Sequence, residues 1–334
     1  MKRIVWIPAL AVLVLFAGAG TLYYRWCVRP LPIERPRTII VQPGAPLSDT
    51  AGKLATAGIL HSAWDLVWLA RFEGKSTSVR AGEYALPAHL TTARLLDIIV
   101  SGKVVLHSFT IVDGWTFREF LMRLEDDPLL KHDLAGLSDT EIMKRIGHPG
   151  ENPEGRFFPE TYKFPRGTTD SAFLKRAYSL MRRHLEDEWA SRDADMSLAT
   201  PYQSLILASI IEKETGLPSE MPRIAGVFVR RLQRGMRLGS DPTVIYGLGK
   251  AYNGDITVRD LRTDTPYNTY TRKGLPPTPI SLPSLAALHA AMHPQRGDAL
   301  YFVSKGDGSH EFSATFKEHR KAVKKYQIDG GHGR

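Results

Sequence analysis

Residues Ile4 to Tyr24, IVWIPALAVLVLFAGAGTLYY, carry no charged side chain. In a bilayer such a run can satisfy its peptide groups only internally, which makes it a helix. As a helix its 21 residues rise about 31 Å, enough to cross the hydrocarbon core. Trp6 and the Tyr23–Tyr24 pair stand where interfacial aromatics belong. A cleaved signal peptide competes, because AGAG offers small residues, but the run exceeds a usual signal core. The reading is an uncleaved anchor over residues 4–24 with residues 1–3 as a short tail. Lys2 and Arg3 precede the span, while Arg25, Arg29, Arg35 and Arg37 follow it, so charge does not settle its orientation. Cys27 is the only cysteine, which excludes an intrachain disulfide and a cysteine-based metal site. It follows YRW, which is no lipoprotein cleavage box.

At 334 residues, 43% hydrophobic and 24% charged, the remainder is globular and long enough for two domains. The net charge of +9 is scattered, suiting an anionic membrane surface or an acidic polymer. No dense Lys/Arg helix, zinc-finger spacing or RNA-binding signature occurs, so no nucleic-acid partner is expected. Residues 25–37, including VRPLPIERPR, read as a semi-rigid spacer. Residues 38–108 then read strand, helix, helix, strand, followed by the helix TTARLLDIIVSG closed by Gly102. Units of this kind serve as small carbohydrate-binding modules. The segment HSFTIVDGWTFREFLMRL repeats RTIIVQPGAPLSDTAGKL, with Gly114 matching Gly44, Phe117 matching Leu47 and Leu124 matching Leu54. Thr116 and Glu119 have capping-box spacing. Residues 109–334 make a second, larger domain, so the expected class is α+β.

Its central helix, LILASIIEKETGLPSE, is apolar from Leu205 to Ile211 except at Ser209, and ends in Glu212 and Glu214. Helical spacing stacks Glu214 on Leu207 and Ile211, and Glu212 on Leu205 and Ala208, so periodicity does not choose between them. Gly216 and Pro218 stop the helix and put Glu214 in its last turn. Apolar neighbours and the negative helix end both raise a carboxyl pKa, as a general acid requires. In SDPTVIYG, Asp241 before Pro242 reads as a helix N-cap, with Thr243 and Tyr246 as groove-lining candidates. In TPYNTYT, Tyr267, Asn268 and Tyr270 give rings and an amide suited to sugar, or simply a packed loop. Glu160 in RFFPETY is a substrate-contacting or loop-bonding carboxylate. His289 and His293 have the i, i+4 spacing of a helical zinc pair, but the glutamate of H-E-x-x-H is missing and no third ligand is evident. They are read as structural, and no metal and no cofactor is expected. No G-x-S-x-G elbow, P-loop or Rossmann fingerprint occurs.

Together, ASIIEKETG, VFVRRLQRGMRLGSDPTVIYGLG, YNTYTRKGLPPTPI and SLAALHAAMHP closely resemble the endolytic murein transglycosylases, the MltG or YceG-like family. The likeness runs over nearly the whole chain. It departs at Glu160, where aspartate is the family's usual residue. The resemblance implies a LysM-like βααβ front module and a catalytic domain whose acid, Glu214, ends a buried helix. It implies lytic cleavage of the MurNAc-β-1,4-GlcNAc bond of peptidoglycan to 1,6-anhydroMurNAc ends, which terminates strand elongation. Hydrolases need two carboxylates; a lytic enzyme needs one, because the muramyl C6 hydroxyl is the nucleophile. Asp241, Thr243, Tyr246, Tyr267, Asn268, Tyr270 and Glu160 are then expected to hold the glycan, with Glu212 and Lys213 in support. The substrate's location implies a single pass through the cytoplasmic membrane with the catalytic domain outside, and penicillin-binding proteins or other wall synthases as partners. The competing readings are a non-catalytic peptidoglycan-binding scaffold and a hydrolytic muramidase.

Overall fold

Nothing that breaks a helix occurs between the apolar run and Pro30. Accordingly α1 runs over Trp6–Val28 in the computed structural model, which describes residues 6–329. Its Leu10–Val28 stretch is long and apolar enough to cross a membrane, and none of that stretch is buried within the protein. The expected tail and the first residues of the expected span lie outside the described residues.

The chain divides into two units, the first comprising Met1–His107 with Lys163–Arg166, the second Ser108–Tyr162 with Gly167–Arg334. The first unit corrects the spacer reading of residues 25–37. Arg25 to Val28 belong to α1, and Leu31 and Ile33 are buried in the unit's core. Leu31 N–H donates to Leu90 O at 2.6 Å, and His89 N–H donates to Ile33 O at 2.9 Å. The prolines keep the strand extended, and the apolar side chains between them supply the side that packs.

Within that unit β1 (Arg37–Val41) pairs antiparallel with β2 (Gly82–Leu86), Ile39 opposite Tyr84. Between them come α2 (Leu47–Thr56) and α3 (Ala63–Phe72), and α4 (Thr92–Ser101) follows. Ile39, Val41, Leu54, Leu66, Leu69, Tyr84, Leu95 and Leu96 form the core. Ser62 caps α3, and Gly102, at φ 70°, takes the left-handed conformation that closes α4. Glu83 accepts hydrogen bonds from His107 at 2.7 Å and from Arg166 Nε at 2.9 Å, tying the returning segment to this unit.

The division falls across a strand pair, β3 (Leu106–Thr110) with β4 (Thr161–Pro165). In the second unit α5 (Phe117–Glu125) opens on the expected Thr116–Glu119 capping box. Gly114, at φ 76°, turns the chain as Gly44 does at φ 73°, so the two repeated segments share their turn. The remaining helices are α6 (Asp139–Ile146), α7 (Asp170–Ser191), α8 (Pro201–Glu214), α9 (Met221–Gln233), α10 (Asp241–Leu248), α11 (Val258–Arg262) and α12 (Leu285–Met292). The hairpin of β5 (Tyr301–Ser304) and β6 (His310–Ser313) and then α13 (Phe316–Val323) follow.

α8 is the axis of this unit. Thr200 caps it with Pro201 in the first turn. Leu205, Leu207, Ala208, Ile210 and Ile211 lose all solvent contact among α7, α9 and α12. Each such leucine or isoleucine contributes about 1.5–3 kcal/mol. The Ser209 hydroxyl, the one polar group in the run, donates to Ile206 O at 2.7 Å and accepts from Ile280 N–H at 3.0 Å. A polar residue inside an apolar helix is thereby satisfied, and the loop before α12 is pinned to α8.

Candidate active site

Thr215 is extended, at φ −147° and ψ 139°, so Glu214 is the last residue of α8. Its carboxyl sits where the helix leaves carbonyls unpaired and the dipole is negative. The Ser240 hydroxyl donates to Glu214 Oε1. Burial pushes the Glu214 pKa up to about 7, and the charge of Asp241 adds to that. The Ser240 hydrogen bond and the Arg231 cation pull the other way. The residue as a whole is half-buried. This is a carboxylic acid that changes charge near neutrality.

The partner loop is assembled by a hydroxyl cluster. Ser240 is the N-cap residue of α10, but its side chain leaves the cap and goes to Glu214. Asp241 is the first residue of α10 rather than its cap, a correction of one position, because the extended backbone before the helix is at Ser240, φ −106° and ψ 119°. Ser240 N–H donates to Thr269 Oγ1 at 2.9 Å, Thr243 Oγ1 donates to Ser240 O at 2.7 Å, and the two threonine hydroxyls lie 2.9 Å apart. Tyr270 Oη donates to Asp241 Oδ1 at 2.5 Å. Arg231 of α9 donates Nε to Leu300 O at 2.7 Å and Nη1 to Leu238 O at 2.5 Å. Burial lowers its pKa, yet a guanidinium stays charged, so it is a fixed positive charge behind the glutamate.

Of the residues singled out from the sequence, Asp241, Thr243 and Tyr270 join this cluster directly. Tyr246 and Tyr267 pack edge to face at 4.9 Å. Their hydroxyls turn elsewhere, Tyr246 to Glu154 Oε2 at 3.0 Å and Tyr267 to Thr278 at 2.9 Å. Asn268 is buried, and its amide donates to the carbonyls of Asp260, Leu261 and Thr263 while its oxygen accepts from Tyr270 N–H. Its amide folds the loop that presents Tyr267 and Tyr270. Glu160 is exposed and lines a surface hollow with Lys175 and Arg183. Glu212, two residues from Glu214, accepts from Ser284 N–H at 2.9 Å and from its hydroxyl at 2.5 Å, so it anchors the start of α12. Lys213 Nζ donates to Gly114 O at 3.2 Å. The helix thus sends its two glutamates to different elements.

Sequence reasoning missed Ser240, Arg231 and Glu154. Glu154 is buried and accepts from Phe117 N–H at 2.9 Å as well as from Tyr246. Burial raises its pKa to about 7 against those hydrogen bonds. Its signal lay in ENPEGRFFPETY, where a charged residue enters a run that folds inward.

The YceG-like family model matches residues 39–325. The endolytic murein transglycosylase of Bacillus subtilis (strain 168) is 28% identical, over 93% of this chain and 91% of that protein. The endolytic murein transglycosylase of Streptococcus pneumoniae serotype 2 is 27% identical over 89% of this chain, which spans 60% of that longer protein. The crystal structure of a YceG-like protein from Listeria monocytogenes superposes with a TM-score of 0.54 at 26% identity, covering 86% of this chain and 98% of that one. A match over most of the length, with curated relatives and a solved structure in agreement, leads to one conclusion: the chain belongs to the YceG-like family.

Proposed function

We propose that this chain is a membrane-anchored endolytic murein transglycosylase in which Glu214 is both acid and base. The observation that carries this is the carboxyl that ends α8, held through one oxygen by Ser240, with its pKa pushed by burial to about 7. In the proposed reaction protonated Glu214 donates to the glycosidic oxygen as the MurNAc C1–O4 bond breaks. The carboxylate then takes the proton from the muramyl C6 hydroxyl as its oxygen closes on C1. The products are a 1,6-anhydroMurNAc end and a free GlcNAc 4-hydroxyl, and no water is consumed. Asp241, held by Tyr270, keeps the Glu214 pKa high by like-charge repulsion and adds negative potential beside the developing oxocarbenium. Tyr246 and Tyr267 offer ring faces for the glycan. The names of the relatives support peptidoglycan as the substrate.

In this reading α1 remains uncleaved and holds the enzyme at the cytoplasmic membrane with the second unit outside, where nascent strands and their synthases meet it. The packing of the α1 end supports retention: Trp26 Nε1 donates to Asp65 Oδ1 at 2.9 Å and Cys27 packs on the first unit's core. The test is digestion of uncrosslinked glycan by the full-length chain in detergent, with product masses read by mass spectrometry. Ends one water lighter than reducing ends are expected. Reducing ends alone would make it a muramidase, and no cleavage at all a scaffold. Co-purification with penicillin-binding proteins tests the synthase partner, and their absence would remove it.

A further inference from the structure

On the α7–α12 face of the second unit, Glu188 with His289 and His293 places a carboxylate oxygen and two imidazole nitrogens within 4.8 Å of one another. His289 Nδ1 stands 2.9 Å from Glu188 Oε2, and His293 Nε2 stands 3.8 Å from the same oxygen. Around a tetrahedral zinc ion with ligands at about 2.0–2.1 Å, neighbouring ligand atoms are about 3.4 Å apart, so the two separations bracket that value. The histidines share a helix face because they are four residues apart. The missing third ligand was invisible in the local sequence because it lies 101 residues before His289, on another helix. His293 also has its orienting partner: Nδ1 is 3.0 Å from Asp193 Oδ1. A proton held there leaves Nε2, which lies 3.5 Å from the Ser191 hydroxyl and 3.8 Å from Glu188 Oε2, with a free lone pair, as metal-binding histidines have.

We propose that Glu188, His289 and His293 bind a zinc-class divalent ion, with water as the fourth ligand and Asp193 orienting His293. Two imidazoles and one carboxylate favour zinc over magnesium or calcium, which take oxygen ligands. The ion clips α7 to α12. Glu212 of α8 holds the other end of α12, so the clip braces the scaffold behind Glu214 without joining its chemistry.

The full-length chain in detergent, stripped with EDTA and desalted, is titrated with Zn²⁺ against a chromogenic chelator, and with Co²⁺ for its visible absorption. One tight Zn²⁺ per chain is expected, with a rise of about 5 °C in the unfolding midpoint at saturating zinc. H289Q and H293Q each weaken binding at least about a hundredfold, and D193N weakens it about 10–100-fold. His289 is 57% exposed at its side chain, so its replacement leaves the fold intact, as circular dichroism will report. Absence of tight binding in the native chain, or equal affinity in H289Q and H293Q, overturns the site and leaves only hydrogen bonds among these groups.

An independent observation concerns the first unit. Trp64, Trp68 and Phe72 repeat every four residues along α3 and are 64%, 46% and 71% exposed. Their ring centroids are 6.5 and 6.1 Å apart, and Tyr23 near the end of α1 meets Phe72 edge-on at 6.2 Å. Arg71 lies 5.3 Å over the Trp68 ring. With α1 taken as the bilayer span, a reading on which this rests, the aromatic stripe continues from the level of Tyr23. We infer that α3 lies in the headgroup layer with these rings down and Arg71 near the lipid phosphates.

Vesicles of phosphatidylglycerol and phosphatidylcholine, brominated high on the acyl chain, test it with the reconstituted full-length chain. Tryptophan quenching that falls by at least a third in W64F/W68F is expected. Unchanged quenching in the double variant, with the protein still resistant to carbonate extraction, overturns the α3 seat while sparing the span. Carbonate release of the native chain would overturn both.

Discussion

Replacing Ser240 by alanine should move the alkaline limb of the pH–rate profile upward by about one unit. The Ser240 hydroxyl donates to Glu214 Oε1 and favours the carboxylate over the acid. A hydrogen bond to a charged group is worth about 1.5–3 kcal/mol and one to a neutral group about 0.5–1.5 kcal/mol. The difference, about 1–1.5 kcal/mol, converts to about one pKa unit at 1.36 kcal/mol each. Glu214 titrates near pH 7, and activity requires its protonated form, so the rate falls as pH rises through that value. In S240A the midpoint becomes about 8, and at pH 8 the protonated fraction rises from about one tenth to about one half. kcat/KM for anhydro-end formation, measured from pH 5 to 9, reads this directly. Other hydrogen bonds of the residue survive, since its N–H still donates to Thr269 Oγ1 at 2.9 Å. A limb that stays put or moves downward refutes the reasoning: Glu214 would not be the titrating acid, or Ser240 would not favour its charged form.

Glu214→Gln should lower kcat about 10²–10⁴-fold with an unchanged fold; retained activity would remove Glu214 from the chemistry. Glu154→Gln should flatten the stability curve. A carboxyl raised from 4.5 to about 7 by folding contributes stability below pH 4.5 that is lost as pH rises through 7. That loss, about 3 kcal/mol, should vanish in E154Q. Urea unfolding at pH 5 and 8 measures it, and parallel curves for the two proteins would sink the assignment. Ser284→Ala removes the α12 cap and the hydroxyl donor to Glu212 while keeping the backbone N–H donor, costing about 1–2 kcal/mol in unfolding free energy and leaving the pH–rate limb in place. Gly226→Ala puts a Cβ 2.3 Å from Gln295 O, so it should destabilise by about 1–3 kcal/mol despite alanine's better helix propensity. An unfolding midpoint at or above the native value would count against that contact.

What could be read from the sequence was local and periodic. The end of α8, the capping box of α5 and the glycine that closes α4 all follow from patterns a few residues long. The roles of Glu212 and Glu214 did not, because they depend on which loop arrives at each. Ser284 is 72 residues from Glu212, and Ser240 is 26 from Glu214. The spacer reading failed for the same reason: composition reports prolines, whereas the burial of Leu31 and Ile33 depends on the loop around Leu90. Asp241 was placed one residue off because the helix boundary depends on where the backbone turns from extended to helical, at Ser240.

Two glutamates in the second unit have pKa values pushed up to about 7, so a raised pKa alone does not identify the acid. Their hydrogen bonds separate them. Glu154 has both oxygens occupied, one by Phe117 N–H and the other by the Tyr246 hydroxyl, with the Gly155 amide in addition. A group so enclosed has no oxygen left to offer a substrate, and losing a proton there strengthens bonds already made. Its position suits a clamp that joins the start of α5 to α10. Glu214, among the described residues, accepts a side-chain hydrogen bond from Ser240 through one oxygen. In the proposed reaction its second oxygen delivers the proton and retrieves one. The proposed lytic reaction asks for one bidirectional carboxyl, and Glu154, whose bonds commit it to the scaffold, leaves that role to Glu214.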